Sequence, residues 1–262
     1  MPIIPRVLVS LSAYASEGGL DGRYQPATCF SPTIALGRHW GPGDADGLWQ
    51  NYEAVLDLAG DLGLTGVCLE VSWARLEPRR GRRDQAVLAR YADVVAYAQR
   101  RGLFVSVAAI DAAWPAWLGL EAWLMPWVTP VAIGYVRWLA SSLDADALSV
   151  FAARELLTRG FLDATAGPPW RRGAGDDAVS AARNLEIIET TAREGSTRPL
   201  VTSVSIDLDD VDDAGSFGVD EVHVRSLVRG TGPLASARGL LARRGEQWIA
   251  VDTAVAPQLV RP

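Results

Sequence analysis

Short apolar runs alternate with amphipathic stretches along most of the chain. "RVLVSLS" (6–12), "GVCLEVSW" (66–73), "FVSVAAI" (104–110), "ALSVFA" (147–152), "PLVTSVSID" (199–207), "DEVHVRS" (220–226) and "EQWIAVDT" (246–253) have the length and β-branched content of strands. Between them, helical spacing predicts helices over "GLWQNYEAVLDLAGDLG" (47–63, stopped by Gly63), "DQAVLARYADVVAYAQRRG" (84–102), "PVAIGYVRWLASSL" (130–143), "DAVSAARNLEIIETTARE" (177–194) and "LASARGLLARRG" (234–245). Strands apolar throughout and separated by helices indicate a parallel sheet covered on both sides. The number of units favours an α/β fold of the TIM-type (β/α) barrel kind over a doubly wound sheet. Only "AVAPQLVRP" (254–262) follows the seventh strand, with no helix before it. Either the barrel is incomplete at its eighth strand, or another segment or subunit closes it. A gap is therefore expected between strands one and seven.

Composition narrows the function classes. At 262 residues and 49% apolar content, a single domain over 1–262 with a sizeable core is expected. A formal charge of −6 argues against nucleic-acid and anionic-membrane partners, which select basic surfaces. "MPIIPRVLVSLSAYA" lacks the long apolar core of a signal peptide, and no apolar run approaches the roughly 20 residues needed to span a bilayer. Two cysteines, Cys29 and Cys68, make no disulfide framework and fit a reducing cytoplasm. All 25 cationic residues are arginine, which reads as the codon bias of a GC-rich, actinobacterial-type genome.

The stretch "SAYASEGGLDGR" (12–23) resembles the entry segment of glycoside hydrolase family 1, where Ala-Tyr-Gln, one free residue and Glu-Gly lead into Asp-Gly-Arg. "VSWARLEPRRGRRDQAVLARYADVV" resembles that family's Ser-Trp-Ser-Arg-Ile-x-Pro stretch and the Tyr helix after it, through Trp73, Arg75, Pro78, Gly81 and Tyr91. "IDAAWPAWL" takes the place of its His-Trp-Asp-Leu-Pro, with Pro115 matching, and Trp123 stands where the family has Gly-Trp-Leu. "GFLDATAGPP" resembles the Gly-Tyr segment leading to Pro-Pro-Gly, and "GPLASARGLLARRGEQWIAVDTA" the segment ending in the Thr-Glu-Asn-Gly nucleophile motif. The family's closing Glu-Trp segment has no counterpart after Ala254.

The resemblance implies a barrel but not the family's chemistry. Retaining glycosidases need two carboxyls about 5–5.5 Å apart, a nucleophile and an acid/base. The nucleophile position falls on Asp252, one methylene short, and a misplacement near 1 Å costs on the order of 100-fold. Counting back from Gly160-Phe161, the acid/base dipeptide Asn-Glu becomes Phe151-Ala152; a shifted alignment would recruit Glu155. The sugar-holding Gln becomes Ala15, the Arg beside the nucleophile becomes Cys68, and the His-Trp pair becomes Asp111-Ala112. Sugar hydroxyls buried without partners cost roughly 1–3 kcal/mol each, so ordinary glucoside recognition is not expected.

A different polar set falls where side chains of such a barrel face its mouth. Glu70 shares a strand face with Cys68, Asp111 ends strand three and Asp207 strand five, His223 and Arg225 alternate on strand six, and Asp252 ends strand seven. His223 among the carboxylates Asp252, Asp111 and Glu70 suits acid/base work, with Arg225, Asp207, Trp114, Trp40 and Phe151 lining the site. Glu70 is expected deepest. The structural alternative is that Glu70 with Arg225, or Asp111 with His223, are buried pairs holding the interior together. Trp117 and Trp170 also fall near strand-end loops, while His39 reads as a surface residue. Two distant histidines and no CxxC or HxxE spacing predict no metal, and the absence of a GxGxxG or GxxxxGK loop predicts no nucleotide cofactor. The acidic loop "DLDDVDDAG" (207–215) does not match calcium-loop spacing.

Three functions fit: a repurposed barrel doing acid/base chemistry on a cyclic sugar-like or natural-product small molecule, a surviving glycosidase using Asp252 and Glu155, or a non-catalytic binding or partner protein. The first is preferred. A small-molecule ligand is the expected partner, with a homo-oligomer covering the open barrel edge as a further expectation.

Overall fold

The computed structural model describes residues 8–20, 26–38, 41–45, 47–61, 63–152, 154–164, 167–171, 175–197, 200–201, 203–207, 221–225, 238–244 and 247–249, with side chains described up to residue 201 apart from 155 and 175. Strands β1 (Leu8–Ser12), β2 (Gly66–Glu70), β3 (Phe104–Ile110) and β4 (Ala147–Phe151) form a parallel run. β5 (Ser203–Asp207) pairs parallel with β6 (Glu221–Arg225). The sheet order is β4-β3-β2-β1-β7-β6-β5, where β7 is Arg238–Arg244. Beyond β4, Ser149 meets Val201 in one parallel bridge, two residues before β5 begins, so the strand path turns back on itself as a barrel requires.

Helices α1 (Ser31–Ala35), α2 (Tyr52–Asp61), α3 (Trp73–Leu76), α4 (Gln85–Arg100), α5 (Val128–Ser142), α6 (Arg154–Leu162) and α7 (Gly175–Glu194) connect the strands. Local chemistry sets their ends. Asp84 caps α4, accepting from the N–H groups of Ala86 and Val87 at 2.9 and 3.1 Å. Gly102, at φ 78°, turns the chain out of α4 into β3. None of these helices is long and apolar enough to cross a membrane.

The two faces of β1–β4 differ. Val9, Leu11, Val67, Leu69, Val105, Val107, Ala109, Leu148 and Val150 belong to one apolar core with Val55, Leu56, Tyr91, Val94, Val95, Val136 and Leu139 of the helices. The alternate positions read Ser10–Cys68–Ser106 and Ser12–Glu70–Ala108–Ser149 across the register, all buried. The strands are therefore apolar on the helix side and small or polar on the other. Continuous apolar runs were expected, but the serines in "LVSLS" and "FVSVAAI" follow the period of two that separates two strand faces.

The main correction concerns the C-terminal part. The helix expected over 234–245 is replaced at 238–244 by β7, which lies antiparallel between β1 and β6. Leu240 is opposite Leu8 on one side and His223 on the other. The gap expected beside β1 is thus occupied, and the described residues of "EQWIAVDT" form β8 (Gln247–Ile249), paired with β7. The physical reason is backbone satisfaction. β1 is buried along its length, and its second edge needs hydrogen-bond partners, a demand that outweighs the modest helix preference of "ARGLLARR".

Candidate functional site

The carboxyl ends of β1–β4 build the described part of the barrel mouth. Glu70, the last residue of β2 and only 2% exposed, accepts a hydrogen bond from the Ser10 hydroxyl at 2.7 Å. Asp111 follows β3, three residues beyond Ala108, the register partner of Glu70. At about 3.3 Å per residue, Asp111 stands roughly 10 Å further along its strand, leaving Glu70 the deeper carboxylate.

Asp111 is also buried, and its oxygens are engaged. One accepts from the Ser12 hydroxyl and the Tyr14 N–H, both at 3.2 Å, and the other from the Ala112 N–H at 2.6 Å. The carboxylate thereby ties the exit of β1 to the exit of β3. Cys29 joins the same junction, its thiol donating to the Ala112 carbonyl at 3.5 Å, and burial pushes that thiol well above the usual range. Burial disfavours the thiolate form that nucleophilic work would need.

Beside this junction lies an ionic network that the sequence shows only as matched motif positions. Residues Ala13–Glu17 form a π-helical turn after β1, ending at Gly18. Gly18 has φ 76°, and a Cβ there would run into the Asp44 carbonyl, so glycine is required. Glu17 receives Arg75 Nε at 3.0 Å and the Tyr91 hydroxyl at 2.6 Å, and Arg75 also donates to the Gly18 carbonyl. The Arg75 guanidinium lies 4.4 Å from the Trp49 ring centroid, and Tyr91 accepts from the Ser72 N–H at 2.8 Å.

Burial pushes Glu17 up to about 7, against the opposing pull of Arg75 and the Tyr91 hydrogen bond. A folded-state value above the unfolded one means that the native state holds the proton more tightly. This contribution is complete below about 4.5 and is lost as pH rises through about 7, a span worth about 3 kcal/mol. Glu17→Gln should therefore flatten the fall in stability between these pH values. Urea unfolding of both proteins at the two ends of the window checks it: wild type and variant should differ in pH slope, and parallel slopes would contradict the assignment.

An aromatic shelf stands next to Asp111. Tyr14 stacks on Phe30 at 4.7 Å between ring centroids, and Phe30 meets Trp170 edge-on at 5.5 Å. All three are partly exposed, and Tyr14 is placed by its own N–H on Asp111. Tyr14 and Phe30 were not singled out from sequence; Tyr14 lies inside the quoted entry stretch, and Phe30 carries no local signal.

The remaining candidates separate. Phe151 is 2% exposed, in edge contact with Trp123 at 6.5 Å, and the Ala152 N–H donates to the Ile110 carbonyl at 3.0 Å. The end of β4 is thus closed by apolar packing. Trp114, expected to line the site, is buried against Trp123 at 5.3 Å with its indole N–H on the Gly119 carbonyl. Trp117 is partly buried, its N–H on the Glu77 carbonyl at 2.8 Å. Glu155 falls in the first turn of α6, past the end of β4. Asp207 ends β5 opposite Arg225, and His223 is opposite Ser205, as backbone positions. Asp252, Trp40, His39 and most of the 207–215 loop lie outside the described residues, as do the side chains of His223, Arg225 and Glu155. Among the described residues no three His, Cys, Asp or Glu side chains form a group able to hold a metal ion.

No protein-family model and no curated protein sequence matches the chain. Solved structures do match. A β-glucosidase from Exiguobacterium marinum is similar with a TM-score of 0.66 and 19% identity, over 79% of this chain and 49% of its own. A β-glycosidase from Pyrococcus horikoshii gives 0.68 and 18%, over 82% and 52%. The family 1 β-glucosidase from Thermotoga maritima gives 0.69 and 16%, over 79% and 49%. The chain spans about half the length of these proteins. At such identities the likeness establishes the fold: the chain has the α/β barrel architecture of the β-glycosidases.

Proposed function

We propose that this is a glycosidase-type barrel that has left retaining hydrolysis and uses its mouth to bind, and transform by acid/base chemistry, a cyclic sugar-like or natural-product small molecule. The observation that carries the reading is the end of β4. In a retaining glycosidase this strand end presents the acid/base carboxyl; here Phe151 and Ala152 fill it and are buried. Glu155, the residue of the surviving-glycosidase alternative, falls in the first turn of α6 and not on the strand itself. The shelf of Tyr14, Phe30 and Trp170 favours a ligand with a flat or ring-shaped apolar face. Glu70, Asp111, His223 and Asp252 remain the proposed polar set, with Asp207 and Arg225 beside them.

One observation favours a second reading, a binding protein without catalysis. Asp111 already accepts three hydrogen bonds from its own chain, which suits a strut better than a proton carrier. Incubation with nitrophenyl β-glucoside and β-galactoside tests the part common to both readings. These substrates have good leaving groups and need little acid assistance, so they give hydrolysis its best opportunity. No release above background is expected. Steady release that vanishes in Asp252→Asn would overturn the proposal.

A further inference from the structure

The turn between α3 and α4 carries four arginines in five residues, Arg79, Arg80, Arg82 and Arg83, in a chain of net charge −6. All four are exposed. Arg79 and Arg82 bridge each other across the turn, the Arg82 N–H donating to the Arg79 carbonyl at 2.8 Å, and Gly81 supplies the φ of 73°. The turn is held from below: buried Glu77 accepts from the Gly81 N–H at 2.5 Å and from the Trp73 indole at 3.1 Å.

Two of the arginines lie over aromatic rings, one just before α5 and one within it. Arg80 lies 4.6 Å from the ring centroid of Trp127, itself 36% exposed, and Arg83 lies 4.3 Å from that of Trp138 and donates to the Gly134 carbonyl at 3.4 Å. Among the described residues no ion pair joins any of the four to a carboxylate. Asp84, the nearest acid in sequence, is engaged by the first turn of α4. A groove of about 360 Å³ runs between Pro78, Arg79, Arg82, Arg83, Asp84 and Gln85.

A local excess of positive charge attracts acidic partners even where the molecule's net charge is negative. Guanidinium groups fork onto carboxylates in pairs of hydrogen bonds. Stacking on tryptophan preorganises two of them and reduces the entropy lost on binding. Arginine and tryptophan together are also the residues most enriched among interface anchors. A single small anion would engage one or two guanidiniums. Four spread along an open turn match a run of carboxylates.

We propose that this arginine turn is a docking surface for an acidic segment of a partner protein. Arg79 and Arg82 grip its carboxylates, and Arg80 with Trp127 forms the packed edge of the contact. None of the residues lining this groove belongs to the Asp111 junction, so the proposal does not rest on the functional reading of the mouth.

The test uses a fluorescein-labelled, aspartate-rich decapeptide, with binding to the full chain followed by anisotropy at low salt. Arg79→Glu/Arg82→Glu should weaken binding at least about tenfold. Arg100→Glu/Arg101→Glu, at the other end of α4 and with the same change in net charge, should weaken it less than about twofold. Melting curves confirm that both variants fold. Equal losses in the two variants, or no binding by the wild type, would overturn the proposal. So would displacement of the peptide by millimolar inorganic phosphate, which would mark a general anion site, or tighter binding of a labelled single-stranded oligonucleotide of equal charge.

Discussion

Replacing Arg75 by methionine is expected to lower the unfolding free energy by about 3–5 kcal/mol near neutral pH. The guanidinium is 3% exposed and its partner Glu17 2%. Methionine keeps most of the length and packing against Trp49 but removes the charge and every donor. Among the described residues Glu17 then keeps the Tyr91 hydroxyl as its side-chain donor, and the Gly18 carbonyl loses its Arg75 donor. A loss of this size is a large fraction of the 5–15 kcal/mol by which domains are ordinarily stable. Glu17→Gln in the same background should add little further loss, because the carboxyl, already near 7 with Arg75 beside it, keeps its proton once the cation is gone and the amide stands in for that neutral form. The double variant should then lose less than the sum of the singles. Urea unfolding of the four proteins measures the cycle; a loss below about 1 kcal/mol for Arg75→Met would show that the pair is not a strut of the mouth.

Asp111→Ala is expected to cost about 4 kcal/mol. Two backbone N–H groups, from Tyr14 and Ala112, and the Ser12 hydroxyl would lose their acceptor in a site where Asp111 itself is buried. Hydrogen bonds to a charged group are worth about 1.5–3 kcal/mol each, and stranded buried donors cost comparable amounts. Asp111→Asn keeps one acceptor oxygen and should cost less than half as much. Thermal melts need no substrate. Large losses for alanine with a milder loss for asparagine define a structural carboxylate, and the binding reading then gains. An unchanged melting temperature in both would support Asp111 as a member of the acid/base set.

The fold was legible because its signals are local and repeated. The elements β1 to β6, α2 and α4 lie within the stretches that the periodicity marks out, and α5 and α7 begin two residues before theirs. β7 was not legible, because "ARGLLARR" has helical spacing and its strand state answers a demand made by β1, some 230 positions earlier in the sequence. α6 was overlooked since nothing in "RELLTRGFL" separates it from the loop around it.

The site was legible by residue type and not by partner. Glu70 and Asp111 could be placed at strand ends from the sequence. That their hydrogen-bond donors would be Ser10, Ser12 and two backbone N–H groups depends on register and loop path, which no spacing reveals. Trp114 looked like a wall of the mouth because it follows a strand end, yet its N–H finds the Gly119 carbonyl only when the ring turns inward.

On the reading proposed above, no nucleophile of this barrel forms a covalent bond to a sugar. An activated 2-deoxy-2-fluoro-β-glucoside tests it most directly: its leaving group departs without an acid, and the fluorine slows the second step, so a retaining site accumulates its covalent intermediate. Intact-protein mass spectrometry after prolonged incubation reads the outcome. An unchanged mass is expected. A mass increase of one fluoroglucosyl unit, mapped to a peptide containing Asp252, would contradict it.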